Sequence, residues 1–201
     1  MIQQITHYSQ KTLRQMAGML ARAFHNDPLF QLAMPDEQHR TRTLPALLKL
    51  NLQYGLRFGD VYASAQNGLA IWLRPGENAI TIPRALQAGM LLTPLKIGLS
   101  AVLRLGRLNS ISELIHEQLA PEPHWYLFLL GVDPVSQGRG LGGLLLQPVL
   151  ASADAVHQPC YLETNNPSAV RFYQKLGFVI AAERQPTLSN PCLWAMRRES
   201  R

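Results

Sequence analysis

One short stretch, Gln137-Gly138-Arg139-Gly140-Leu141-Gly142-Gly143, constrains this chain more than any other. Before it runs His124 to Val132, HWYLFLLGV, a continuous apolar segment of strand character, and after it come the leucines Leu144 to Leu146 that open a helical pattern. Glycines at that junction let the chain turn freely and bring backbone amides close to a ligand, because no Cβ stands in the way. The following helix leaves its first amides unpaired and directs the positive end of its dipole at the turn. Such a place suits an anion, phosphate or pyrophosphate above all. A tight strand-to-helix connection alone would also use glycines, so the neighbouring residues must decide.

A Walker phosphate loop needs Gly, four residues, then Gly-Lys-Ser or Gly-Lys-Thr, and the sequence has no such run. Gly138, Gly140 and Gly143 satisfy the GxGxxG spacing of dinucleotide folds, and Glu163 lies twenty residues beyond Gly143. That fingerprint belongs near a first strand, whereas here it comes late in the chain, after an expected antiparallel hairpin.

The rest of the pattern describes an α/β chain. A first strand is expected at 2–6. A helix capped by Ser9 should run to about Phe24, with Leu13, Met16, Met19 and Leu20 at helical spacing and Asp27-Pro28 as its stop. A second helix is expected from about Glu37 or Thr41 to Tyr54. From Asp60 the period becomes two, and VYASAQ and LAIWL flank Asn67-Gly68, the expected tight hairpin turn. Residues 83–118 read as a helical insertion, broken near Thr93-Pro94 and Gly106, within a single domain spanning 1–201. A helix over about 141–156, a buried strand CYLET at 160–164, a helix over 167–176 and two closing strands near 178–183 and 192–198 complete it.

Composition narrows the class. Hydrophobic residues make up 47% and charged residues 16%, as in an ordinary globular protein. The formal net charge of +6 is spread along the chain without a dense basic run, so no nucleic-acid partner is expected. The most apolar region, Ala85 to Leu108, is interrupted by Gly89, Pro94, Lys96, Gly98 and Arg104, which predicts helices and no membrane span. No secretory pattern opens the sequence, and Cys160 and Cys192 lack CxxC spacing or a histidine cluster. Reduced thiols, a cytoplasmic location and no metal follow as expectations. The apolar helices leave a homodimer open.

With its surroundings, the glycine stretch resembles a known signature. Val132-x-Pro134-x-x-Gln137-Gly138-x-Gly140-x-Gly142 is similar to the acetyl-CoA motif of the GNAT superfamily of N-acetyltransferases. Asn166-x-x-Ala169-x-x-Phe172-Tyr173-x-x-Leu176-Gly177-Phe178 resembles the second motif of the same superfamily, in the same order and at a matching separation. The likeness covers mainly residues 124–184. Within the superfamily, HWYL, LGV, LET and FYQKLGF are similar to the puromycin N-acetyltransferase group.

This resemblance implies a central mixed antiparallel and parallel sheet flanked by helices, and direct acetyl transfer from acetyl-CoA to an amine in a ternary complex. It implies that the backbone of Leu130, Gly131 and Val132 holds the pantetheine arm. Gln137, Gly138, Arg139, Gly140, Leu141, Gly142 and Gly143 would cradle the pyrophosphate, and Asn166 would contact the cofactor. Tyr173 matches the tyrosine that delivers a proton to the departing thiolate. The strand ending at Val132 is expected to splay from CYLET and leave a slot for the thioester.

Residue chemistry leaves several roles open. Asn166 before Pro167 is also a common helix cap, Phe172-Tyr173 also reads as packing, and Arg139 as a solvated charge. An ammonium of pKa near 10.4 costs about 4 to 5 kcal/mol to deprotonate at pH 7, so a base is needed. Glu163, at the end of the strand beside the slot, is the first candidate, with a structural carboxylate as the equal reading. Strand alternation puts Tyr161 on its face. His124 reads as a surface or packing histidine, and Asp27, Tyr54, His116 and Glu117 are candidates for an acceptor pocket. A small-molecule amine is the expected acceptor. Alternatives are a protein amino terminus or lysine, and a silent acyl-CoA sensor.

Overall fold

The computed structural model describes residues 1–65, 67–77, 80–187 and 190–200. The elements in chain order are β1 (Gln3–Gln4), α1 (Gln10–Phe24), α2 (Pro28–Ala33), α3 (Glu37–Phe58), β2 (Gly59–Ser64), β3 (Gly68–Leu73), α4 (Ile82–Gln87), α5 (Thr93–Ile97) and α6 (Leu99–Leu119). After them come β4 (Trp125–Val132), α7 (Leu141–Ala155), β5 (Cys160–Thr164), α8 (Pro167–Lys175), β6 (Val179–Arg184) and β7 (Leu193–Arg198). The sheet runs β1-β2-β3-β4-β5-β7-β6. Every neighbouring pair is antiparallel except β4 and β5.

Helices cover both faces. β3 is buried along its whole length, with Leu69 and Ile71 packed in one core beside Leu13, Met16, Leu20 and Leu48, and Ala70 and Trp72 in the other beside Leu145, Val149 and Phe178. That is why its sequence reads as continuously apolar instead of alternating. α1 follows its expected stripe, and the Ser9 side chain accepts from the Thr12 amide as the N-cap.

The seam between β4 and β5 is short. Only Trp125 to Leu127 pair with Cys160 to Leu162, although β4 continues to Val132 against β3. Opposite Ile71 and Trp72 of β3 stand Leu129 and Leu127, so Phe128 is an extra residue in β4. A bulge of this kind bends a strand and sharpens its twist. The splay expected from the family resemblance is thereby present, with Phe128 at its origin.

Four local expectations need correction. Gly68 is not a turn residue: it opens β3 and pairs with Ser64, and Ala65 takes the positive φ of 45° before it. Of the expected VYASAQ strand, Gln66 lies outside the described residues. Gly106 does not break a helix, since α6 is continuous through it, with Val102 and Leu105 packed before it and Ile111 and Ile115 after it. Asp27-Pro28 stops α1 but also starts α2, with the Asp27 side chain accepting from the Leu29 amide at 3.0 Å and Pro28 in the first turn. α3 runs past Tyr54 to Phe58.

Among the described residues no helix is long and apolar enough to cross a membrane, and no group of three metal-ligating side chains occurs. Both cysteines are free thiols, and burial pushes that of Cys160 up to about 12.

Candidate active site

Beyond the bulge, the separated strands open a cleft of about 1310 Å³. β4 supplies its floor with Tyr126 to Val132, β5 contributes Glu163 and Thr164, α8 adds Ala169 and Tyr173, and α1, α2 and α6 close the other side. Of the residues expected at a cofactor or catalytic site, Leu130, Gly131, Val132, Gln137, Glu163, Asn166 and Tyr173 all line this one cleft. Gly138 to Gly143 follow Gln137 and do not line it.

The glycine turn has the geometry its sequence requires. Gly138 and Gly140 have φ of 76° and 77°, the left-handed region, and a Cβ on either would meet nothing within 4 Å. Their backbone is therefore both conformationally special and open to a ligand. Gly142 lets α7 approach the Phe172 ring, while Leu141 and Gly143 are half-buried in the first helical turn and Arg139 is exposed. Two contacts hold the region, one tying the turn to the strand end and one tying the strand end to α1. Gln137 Nε2 donates to the Val132 carbonyl at 3.0 Å, and buried Asp133 accepts from Arg22 Nε at 3.1 Å on α1. The Arg22 guanidinium holds the Asp133 carboxyl below the usual carboxylate range.

Asn166 caps α8: its Oδ1 accepts from the Ser168 amide at 2.9 Å. That is the alternative role read from the sequence, although the residue also borders the cleft. Tyr173 is buried between Phe172 and Phe178, with ring centroids 5.0 and 5.9 Å away. Burial first, then the Asp27 carboxylate, raises its phenol well above the ordinary range, so it remains protonated.

Glu163, also on the cleft, accepts from Tyr126 Oη at 3.2 Å and from Tyr161 Oη at 3.0 Å. Burial raises its pKa to about 7, against the lowering effect of these phenols and Ser112. Asp27 is raised to about 6 by burial, with the Leu29 amide opposing. His116 is lowered to about 4, by burial and then by His124. His124 is a packing residue, 2% exposed, its Nε2 lying 2.7 Å from His116 Nε2. Asp27, His116 and Glu117 border the cleft as the acceptor-pocket reading expected. Tyr54 does not, because it is buried in the core against Phe58 and Phe128.

Tyr126 and Ser112 escaped the sequence reading, and so did the contact of Tyr161 with Glu163. Alternation along β5 gave the shared face of Tyr161 and Glu163, but only the parallel register sets Tyr126 beside Tyr161.

Residues 100–178 match the family model of the acetyltransferase (GNAT) family. The crystal structure of histone acetyltransferase HPA2 and related acetyltransferase from Corynebacterium glutamicum aligns over 100% of this chain and 97% of that one, with a TM-score of 0.67 and 24% identity. The chain has the GNAT acetyltransferase fold. Two curated acetyltransferases give shorter matches. The mycothiol acetyltransferase of Mycobacteroides abscessus is 41% identical over 27% of this chain and 20% of its own length, so the chain spans about a fifth of that relative. The N-alpha-acetyltransferase RimI of Mycobacterium tuberculosis is 30% identical over 52% of this chain and 60% of its own. Residues 132–142 run from the end of β4 to the start of α7, and 166–178 cover α8 and the turn after it.

Proposed function

We propose that this protein is an acetyl-CoA-dependent N-acetyltransferase acting on a primary amine of a small molecule, by direct transfer in a ternary complex. The observation that carries the reading is the splay of β4 from β5, which gathers Tyr173, Glu163 and the approach to the glycine turn around one cleft. Gly138 to Gly143 and the start of α7 would take the pyrophosphate, and the unpaired edge of β4 at Leu130 to Val132 the pantetheine arm. Acetyl-CoA supplies the activated acyl group.

Glu163 receives the ammonium proton, directly or through water. With a pKa of about 7 it is part-ionised at neutral pH, the range in which a general base works best. The amine nitrogen then attacks the thioester carbonyl, and collapse of the tetrahedral intermediate breaks the carbon–sulfur bond. Tyr173 donates to the departing sulfur. A thiol has a reference pKa near 8.5 and this phenol lies above 10, so full transfer to a free thiolate is uphill. Its contribution is therefore a hydrogen bond that strengthens as charge builds on sulfur. Positioning of amine and thioester supplies the remainder.

A compact acceptor fits the cover over the cleft. α6 lines it with Asn109, Ser112, Glu113, His116 and Glu117 and is pinned at both ends. Arg104 Nε donates to the Ala33 carbonyl at 2.8 Å, and Arg197 Nη1 donates to the Leu119 carbonyl at 3.0 Å. The likeness to relatives named for mycothiol supports the same reading, and the sequence similarity to the puromycin N-acetyltransferase group adds aminonucleosides to the candidates. The likeness to an N-alpha-acetyltransferase favours a protein amino terminus as the second reading.

Release of CoA over a panel of small amines, aminonucleosides and peptides with free amino termini tests the proposal. Turnover on small amines at higher kcat/KM than on any peptide is expected. Preference for peptides would transfer the assignment to the second reading. Tight acetyl-CoA binding without CoA release on any member would make the protein a sensor.

A further inference from the structure

The carboxylate that the proposed chemistry uses as a base is held by two phenols from adjacent strands. Tyr126 on β4 and Tyr161 on β5 are partners in the parallel register, and Glu163 follows two residues after Tyr161 on the same strand face. Each phenol takes a different oxygen, Tyr126 Oη on Oε2 at 3.2 Å and Tyr161 Oη on Oε1 at 3.0 Å. Rotation of the carboxylate would break both bonds, yet each oxygen keeps lone-pair capacity for a proton arriving from the cleft. Burial raises both phenols well above the ordinary range, so they remain donors wherever Glu163 is ionised.

Tyr161 is itself braced. It is fully buried, and the His116 ring lies stacked on it at 4.4 Å with an interplanar angle of 10°. The orientation of His116 follows from a chain of bonds that a backbone carbonyl anchors. The Glu122 carbonyl can only accept, so His124 Nδ1, 2.7 Å away, carries the hydrogen. In a neutral ring His124 Nε2 then accepts, and His116 Nε2–H donates to it across 2.7 Å. Burial lowers the pKa of both rings, which keeps them neutral at pH 7.

We propose that Tyr126 and Tyr161 are positioning residues that fix the Glu163 carboxylate at the slot and weaken its hold on a proton. The other groups facing Glu163 come from α6, where Ser112 also stabilises the ionised form and Glu113 opposes it. From β7 the residue opposite Glu163 is Ala195, which is uncharged. Asp27 borders the same cleft from the start of α2. The proposal rests on the reading of Glu163 as the base, but its test does not depend on turnover.

The test follows the Glu163 carboxyl by carbon-13 NMR titration, assigned through its loss in Glu163→Gln, in the wild type, Tyr126→Phe and Tyr161→Phe. Each Phe variant is expected to raise the titration midpoint by roughly one pH unit, since a donor to the ionised form is lost. The acid limb of kcat/KM should move up with it, giving a drop of roughly fivefold at pH 7, while the Kd for acetyl-CoA stays unchanged. A merely structural role would lower activity without moving either midpoint. Midpoints unmoved in both Phe variants overturn the proposal. A midpoint that moves while the kinetic limb stays in place supports the positioning role and removes Glu163 as the base. Should Tyr161→Phe fail to fold, half-buried Tyr126 carries the same test.

Discussion

Gly131 on β4 lies so close to Leu20 of α1 that a Cβ on it would sit 2.5 Å from Leu20 Cδ2 and 3.1 Å from Phe24 Cε2. The residue matched to the pantetheine arm by its motif is thus also the point where α1 rests on the strand. Gly131→Ala is expected to destabilise the fold by about 1 to 3 kcal/mol, as overpacking does. Urea denaturation measures it, and a variant as stable as wild type would mean that α1 shifts freely on β4.

Tyr173→Phe keeps the ring packed against Phe172 and Phe178 and removes only the hydroxyl proposed to donate to sulfur. The expected result is a fall in kcat of about a hundredfold or more, with acetyl-CoA affinity little changed. Steady-state kinetics under conditions where chemistry is rate-limiting, together with calorimetric binding, distinguish the two effects. Full kcat in that variant would remove the proposed hydrogen bond to sulfur.

Glu163 must be ionised to accept a proton, so kcat/KM should rise about tenfold per pH unit below its pKa of about 7 and level off above it. In Glu163→Gln that limb should vanish along with most of the rate. Persistence of the limb would point to another group, with Asp27 at about 6 the next in the cleft.

The histidine pair makes fold stability depend on pH. Burial lowers His116 from the ordinary 6.5 to about 4 in the folded protein, so as pH falls through 6.5 the unfolded chain takes up protons first. Stability is fully present above 6.5 and declines toward 4, and His124, also lowered, acts in the same direction. Thermal melts across that range should show a fall in Tm that His116→Leu diminishes. An unchanged slope in the variant would place the pH dependence elsewhere.

Much of this was legible in residue order. Ser9 capping α1, the strand HWYLFLLGV, the glycine turn and the Asn166 cap are local events, governed by side chains within a few positions of one another. Gly68 misled because Asn-Gly normally marks a two-residue turn, whereas here the strand pairing of Ser64 with Gly68 took precedence. The Tyr126 phenol on Glu163 and the approach of α1 to Gly131 depend on register and on contacts across more than thirty residues, which no local pattern carries. Tyr54 joined the core instead of the cleft for the same reason, since helical spacing gives a face but not what the face meets.

Phe128 gives the bulge a further meaning. Because one surplus backbone unit bends β4 away from β5, the opening is encoded in chain length and not in the identity of any side chain. Substituting Phe128 would leave the doorway standing. Deleting it would leave Leu127 to Val132 opposite their present partners, Trp72 to Gly68, without the surplus unit, and let β4 run straight beside β5, closing the opening.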